Sequence, residues 1–342
     1  MLNDAVKRIR EVGMPASTVI ICGTILLFIA SALIEPSSLK SGALKGMLPF
    51  AAVLAIIAIG QTLVVQQAGI DLSVPGMVSL VVVIMTHYPA GDSSKLPAAI
   101  LISFGVAIAA GLLAGVIVSK VGITAIVTTL GMNALLFGLD IKVSHGGLTQ
   151  ATTPDLQHFA SGSLFGIQNS VLIAIAITAI VAVLVKLTVV GRRFEAVGAN
   201  PAAARASGIT PGRYQIGAYV GANILYCCAA ILLAGIIHSP SAFQGETYLL
   251  PSVAAVVLGG TSLLGGKGSV VATAIGALFL TQLDQFVLTT GINAAVQYLV
   301  QAVALAAGVA IYIVPWGRVR KRFTDTFAGG RGGPSTETAA PT

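Results

Sequence analysis

About ten apolar stretches, each near the length that crosses a bilayer, organise this chain: roughly 14–34, 48–67, 71–89, 97–118, 121–139, 170–190, 214–237, 249–264, 270–288 and 292–314. A helix needs about 20 mainly apolar residues to span ~30 Å of hydrocarbon, and spanning segments must satisfy their own backbone hydrogen bonds. Composition agrees: 56% of the residues are hydrophobic and 9% charged, against about 25% charged in soluble domains. The expected fold class is an all-α polytopic membrane protein. Its 39 glycines suit membrane helices whose backbones approach closely.

Two of the runs are expected to be broken or partly re-entrant. The third opens with Asp71, Ser73, Pro75 and Gly76, and the eighth is short and ends in Gly259 and Gly260. Such breaks are tolerated only where the freed backbone faces protein or water, and they are a feature of transport proteins. Asp71 can cap a helix start or serve in gating.

Ten spans put both termini on one side. If that side is cytoplasmic, it carries Lys7, Arg8, Arg10, Lys120, Lys186, Arg192, Arg193, Arg205, Arg213, Lys267, Arg318, Arg320, Lys321, Arg322 and Arg331, leaving Lys40, Lys45, Lys95 and Lys142 outside. This is the positive-inside bias. The net charge of +7 therefore reads as orientation, not nucleic-acid binding. The chain divides into a cytoplasmic N-terminal segment (1–13), a transmembrane domain (14–317) and a basic, then disordered, cytoplasmic tail (318–342).

The most basic island inside the apolar chain is 191–213. Within it Asn200 suits an N-cap, Pro201 the first helical position, Ala202 to Ala206 a helix, and Gly208 a left-handed C′ residue. This is a short extramembrane helix with its own start and stop, either docking on a partner or bridging two spans. The longest outer segment, about 140–169, holds Asp140, Lys142, Asp155 and His158 and is expected to form a short surface structure.

Polar groups inside the runs are few. Asp284, Asn293, Gln297 and Gln301 lie toward the C-terminal end, and Asn133 and Asn223 are isolated amides. They line a hydrophilic route or act as interhelical glue; the sequence leaves both open. Glu246, ahead of the eighth run, contacts an external partner or is an ordinary loop carboxylate.

Catalytic chemistry finds no motif. The stretch Gly259 to Ser269 lacks the glycine spacing of a phosphate loop, having Thr261 five residues before the Gly266-Lys267 pair and Gly268 where a hydroxyl belongs. Cys22, Cys227 and Cys228 lie in apolar runs without metal-ligand spacing, and His145 and His158 read as solvated loop histidines. No cofactor or metal is expected, and any ATP that drives transport must be hydrolysed by another polypeptide.

Three stretches carry a resemblance: Ala68 to Pro75 (Ala-Gly-Ile-Asp-Leu-Ser-Val-Pro), Gly191 to Ile209, and Ala254 to Ser269 (Ala-Ala-Val-Val-Leu-Gly-Gly-Thr-Ser-Leu-Leu-Gly-Gly-Lys-Gly-Ser). Over about 15–317 the chain resembles the permease subunit of bacterial ATP-binding-cassette importers of the ribose, xylose and galactose branch. Relatives generally carry glycine where Pro75 stands and acidic residues at the positions of Leu249 and Pro251. The resemblance implies an inner-membrane homodimer that accepts a monosaccharide or polyol from a periplasmic binding protein and is driven by a cytoplasmic ATPase. It places the ATPase contact and its helix geometry at Glu195, Gly198, Asn200, Ala204, Arg205 and Gly208, flanked by Arg192, Arg193 and Pro201. A branched-chain amino-acid permease, an ion-coupled secondary transporter and an intramembrane enzyme are the rival readings.

Overall fold

The computed structural model describes residues 16–146, 150–237 and 240–291, with 296, 299, 302, 303 and 306 beyond them. The 1–13 segment, the 318–342 tail, and Asn293, Gln297 and Gln301 lie outside the described residues, as does most of the tenth run. Twelve helices follow in order: α1 (Ala16–Ile34), α2 (Ser41–Gln66), α3 (Val74–His87), α4 (Leu96–Val116), α5 (Ala125–Ser144), α6 (Pro154–Ser161), α7 (Asn169–Leu187), α8 (Val189–Ala199), α9 (Pro201–Ala206), α10 (Pro211–Ile236), α11 (Leu249–Leu258) and α12 (Val270–Thr289). The only described strands are a two-residue hairpin, β1 (Ser163–Leu164) and β2 (Ile167–Gln168), paired antiparallel.

Among the described residues, seven helical stretches are long and apolar enough to cross a membrane. α3 and α11 are not, having 14 and 10 residues, or about 21 and 15 Å at 1.5 Å per residue. These are the two runs expected to be broken.

α2 is the axis of the bundle. Val53, Ile56, Ile57, Ala58 and Ile59 have no exposed surface, and α10, α12, α7 and α11 all pack on this helix. A helix apolar on every face belongs in a core. The outer helices are built the other way. Leu33, Leu101, Leu130 and Ile175 are exposed on α1, α4, α5 and α7, an arrangement stable only in an apolar solvent. Between α4 and α10 small residues permit close approach: a β-carbon on Gly111 would lie 2.7 Å from Val220 Cα, and one on Gly115 2.8 Å from Ile216 Cα.

Two expectations change. Asp140 and Lys142 belong to α5, not to the outer loop, because α5 continues to Ser144 and turns the Asp140 side chain fully into the protein. The sixth run ends at Leu187, and the residues after it start a separate helix, α8, where Thr188 Oγ1 accepts from Gly191 N–H at 3.0 Å. The rest of the 140–169 segment carries α6 and the hairpin, the short surface structure expected there.

Candidate functional site

The basic island folds into two short helices. α8 is amphipathic, burying Gly191, Phe194, Val197 and Gly198 while Arg192 and Arg193 stay exposed. Glu195 pairs with Lys186, a partly exposed contact that contributes little to stability. α9 then starts where expected. Asn200 Oδ1 accepts from Ala202 N–H and Ala203 N–H, both at 3.0 Å, and Pro201 takes the first turn. Gly208 ends the helix at φ 77°, and Ile209 N–H reaches back to Ala204 C=O at 3.0 Å. Ala204 alone of α9 is buried; Pro201, Ala202, Ala203 and Arg205 are exposed. α9 is a knob that supplies its own caps.

α8 is instead part of a clasp. Gly266 N–H donates to Gln66 C=O at 2.9 Å, and Gln67 Nε2 donates to Phe194 C=O at 2.9 Å. A β-carbon on Gly198 would lie 1.9 Å from the Gln66 carbonyl oxygen, closer than any two such atoms can stand. Gly265 and Gly266 lie against Gly198 and Ala199, and Gly268 lies against the buried Gln66 amide. The end of α2, the root of the island and the loop after α11 are therefore fastened at one end of the bundle, although more than a hundred residues separate the first from the second. Gly259 and Gly260 let that loop leave α11. Ser262 N–H closes it on Lys267 C=O at 2.9 Å, and Ser269 Oγ caps α12 at Ala272 N–H.

Above the clasp, 67–73 forms the break between α2 and α3, and its polar side chains Asp71 and Ser73 are buried. Asp71 has no exposed surface. Its Oδ1 accepts from Ser73 N–H at 2.9 Å and Ser73 Oγ at 2.6 Å. Turned to satisfy both ends, the Gln61 amide accepts from Asp71 N–H at 3.1 Å and donates to Asp71 C=O at 3.3 Å and to the Tyr226 oxygen at 2.9 Å. Asp71 Oδ2 is buried without a hydrogen-bond partner among the described residues. α5 fastens the other side: Thr129 Oγ1 accepts from Leu72 N–H at 2.9 Å, and Asn133 Oδ1 from Gly76 N–H at 2.8 Å. Burying these groups unpaired would cost about 1–3 kcal/mol each. Asp71 thus shapes the turn that leads into α3, two residues ahead of the N-cap position, which falls to Ser73 and not to Asp71.

Glu246 lies on a 3₁₀ turn, Gln244–Tyr248, that packs across the start of α3, with Gly245 N–H donating to Ser79 Oγ at 2.9 Å. Because α11 adds only about 15 Å between this turn and the clasp loop, Glu246 stands roughly halfway along α2, and it is exposed there. Phe243 of the same segment packs against Phe137 of α5, ring centroids 5.7 Å apart and planes tilted by 54°.

The remaining polar candidates are dispersed. Asn223 is buried and donates to Tyr219 C=O at 2.9 Å within α10, while Gln282 donates to Ser31 Oγ of α1 at 3.1 Å. Asp284 is half-buried on α12. Sequence reasoning missed Gln61, Thr129, Tyr219 and Tyr226, polar residues inside apolar runs. The seven-residue spacing of Tyr219 and Tyr226 on one face of α10 was the available signal. It also missed Asp140, whose two carboxylate oxygens have no partner among the described residues.

Comparison with known proteins matches residues 43–309 to the family model described as branched-chain amino acid transport system / permease component. The probable ABC transporter permease protein y4mJ of Sinorhizobium fredii is 34% identical over 288 residues, 84% of this chain and 86% of that protein. The fructose import permease protein FruF of Bifidobacterium longum is 34% identical over 259 residues, 74% of this chain and 72% of its own length. The ribose import permease protein RbsC of Escherichia coli is 34% identical over 294 residues, 84% and 90% of the two chains. No solved structure matches.

Proposed function

We propose, on the premise that this chain belongs to the family of branched-chain amino acid transport system permease components, that it forms the translocation route of an ATP-driven, binding-protein-dependent importer of a monosaccharide or polyol. It is a multi-pass membrane permease of the sugar ABC importer kind, and its family carries out transport, not catalysis. The family description names amino acids, whereas the curated relatives import ribose and fructose; the sugar reading follows the relatives. In this reading two copies of the chain enclose the route, a separate ATPase docks on the cytoplasmic side, and a periplasmic binding protein delivers cargo. Both termini, the 1–13 segment and the 318–342 tail are cytoplasmic, and 14–317 is the permease domain.

The observation that carries the reading is α9, a self-capped, exposed helix rooted in a buried clasp. A docking partner that pushes on Arg205 and the exposed alanines moves Asn200 and Gly198 with them. Gly198 is fixed to Gln66, and Gln66 leads directly into the Asp71 break. Arg192, Arg193, Glu195, Gly198, Asn200, Pro201, Ala204, Arg205 and Gly208 form the coupling unit, and Asp71, Ser73, Pro75, Gly76, Gly259 and Gly260 form the hinges it works on. Rigid elements with two arrangements carry such coupling.

The route runs past the 3₁₀ turn. An exposed carboxylate halfway down the bundle costs at least about 2.5 kcal/mol in lipid, so Glu246 faces water between the two copies and meets cargo there instead of the binding protein. Asp284 adds polarity to α12, and Asn293, Gln297 and Gln301 extend the lining. Asn133 fastens α5 to the start of α3 through Gly76 N–H, while Asn223 is occupied within α10 itself. The test is uptake in proteoliposomes holding this chain, its ATPase and its binding protein, across pentoses, hexoses and polyols. ATP-dependent uptake of one class is expected; uptake by this chain alone, driven by an ion gradient, would overturn the proposal.

A further inference from the structure

Between α7 and α10 lies a crevice of about 810 Å³, within the roughly 300–1,000 Å³ range of sites that enclose a small organic ligand. Both helices pack on α2, whose Leu63 forms the floor. Val181 and Leu184 line one wall and Leu225 the other. At its far end the gap is closed by α6, which packs on both helices and sets Leu156 and Ala160 against Gly235 of α10.

The near end is basic. Arg193 of α8 and Arg213 of α10 both line the crevice, and no carboxylate does. Among the described residues neither guanidinium has an acidic partner, whereas neighbouring Lys186 is taken by Glu195. Arg213 also stands in the first turn of α10, where the helix dipole disfavours a cation. Neither helix stability nor an ion pair accounts for the two charges.

The position around the axis identifies the solvent this gap faces. α10, α12, α7 and α11 pack on α2, and around them α10 packs on α3, α3 on the 3₁₀ turn, the turn on α11, α11 on α12 and α12 on α7. The crevice between α7 and α10 is on the side away from the 3₁₀ turn, so it opens to lipid and not to the route. An apolar slot open to the bilayer, with two uncompensated arginines where its chains would end, has the chemistry of an anionic amphiphile with its head at the membrane surface.

We propose that this crevice binds one anionic phospholipid of the leaflet next to α8 and α9, an acyl chain between α7 and α10 and the headgroup phosphate on Arg193 and Arg213. The name of the leaflet, cytoplasmic, and the placing of the crevice away from the route rest on the transport reading; the apolar slot and its two arginines do not. A lipid there touches the root of α8 and the first turn of α10, the two walls that hold α9, and so ties coupling to lipid composition.

Native mass spectrometry of the detergent-purified chain tests this, with phosphatidylglycerol, phosphatidylcholine and inorganic phosphate titrated separately. One phosphatidylglycerol per chain should bind about thirtyfold more tightly than phosphatidylcholine, roughly fivefold for each arginine. Arg193→Gln with Arg213→Gln should bring that preference to near unity. Gly217→Leu should abolish adducts of either lipid with both arginines intact, since Gly217 lines the crevice and a β-carbon there meets nothing within 4 Å. Equal binding of the two lipids by the natural chain, binding of inorganic phosphate as tight as that of phosphatidylglycerol, or an unchanged adduct in both variants would each overturn the site. Failure of sugar uptake would leave these measurements unaffected.

Discussion

α8 and α9 come from one basic stretch and meet at Asn200, yet opposite physics holds them. α8 is kept in place by what it touches: its buried face, Phe194 C=O on Gln67, and Gly198 pressed on Gln66. α9 is kept helical by what it carries, a cap at Asn200 and a left-handed stop at Gly208, with almost nothing packed on it. The first is a joint and the second a handle. Substitutions in the joint should therefore act through the fold, and those in the handle through the partner.

The largest effect tests the joint. Gly198→Val places a branched side chain where even a β-carbon would be 1.9 Å from a carbonyl oxygen. Overpacking a core costs about 1–3 kcal/mol when neighbours can shift, and here the neighbour is backbone. The variant should yield little monodisperse protein in detergent, and Gly198→Ala a reduced amount. Natural yield and melting temperature in both would mean that the close approach is absent and α8 is no joint.

Arg205→Glu tests the handle and ranks next. Arg205 is exposed, so melting temperature and membrane insertion should stay unchanged while affinity for the ATPase subunit falls at least about tenfold, the scale of one reversed charge at an interface. Unaltered ATPase binding and uptake would remove Arg205 from coupling. A fall in melting temperature would show instead that α9 is part of the joint.

Gly208→Val follows. A β-branched residue at φ 77° costs about 1–2 kcal/mol, and since no packing depends on it, the loss should stay within α9. Hydrogen exchange should rise at Ser207 and Ile209 while α8 keeps its protection; loosening of both would merge the two helices into one unit.

What the chain's sequence discloses divides along the same line. Caps and stops are local: Asn200, Pro201 and Gly208 act within a few residues of themselves and can be read where they stand, as can the breaks at Asp71 and Gly259. The clasp is not local. That Gln66, Gly198 and Gly266 meet depends on how α2, α8 and the loop after α11 are carried together by helices between them, and no spacing in the sequence encodes it. The setting of Glu246 is non-local for a similar reason: it precedes an apolar run, and only the fold shows that its 3₁₀ turn packs on the start of α3, with Gly245 N–H on Ser79. Asp140 looked like a loop residue because a charge ends an apolar run in a hydropathy reading, whereas the helix simply continued.

The smallest expected change is the most discriminating. Asn200 is the boundary between joint and handle, and its side chain serves only the handle, through the N–H groups of Ala202 and Ala203. Replacing an N-cap asparagine by alanine costs about 1 kcal/mol. In a six-residue helix whose one buried residue is Ala204 that is enough to shift the balance toward fraying, because short helices are marginal with so little packing. Asn200→Ala should therefore speed exchange at Ala202 and Ala203 about fivefold, leave melting temperature within a degree or two, and lower ATP-driven uptake by a few-fold. Asn200→Asp, which keeps the acceptor, should restore both. Uptake lost equally in Asn200→Asp would mean that the partner reads the asparagine amide itself and not the helix it caps. Uptake unchanged in Asn200→Ala, despite faster exchange, would mean that the partner imposes the helix on binding, and the handle would then be built by the contact instead of before it.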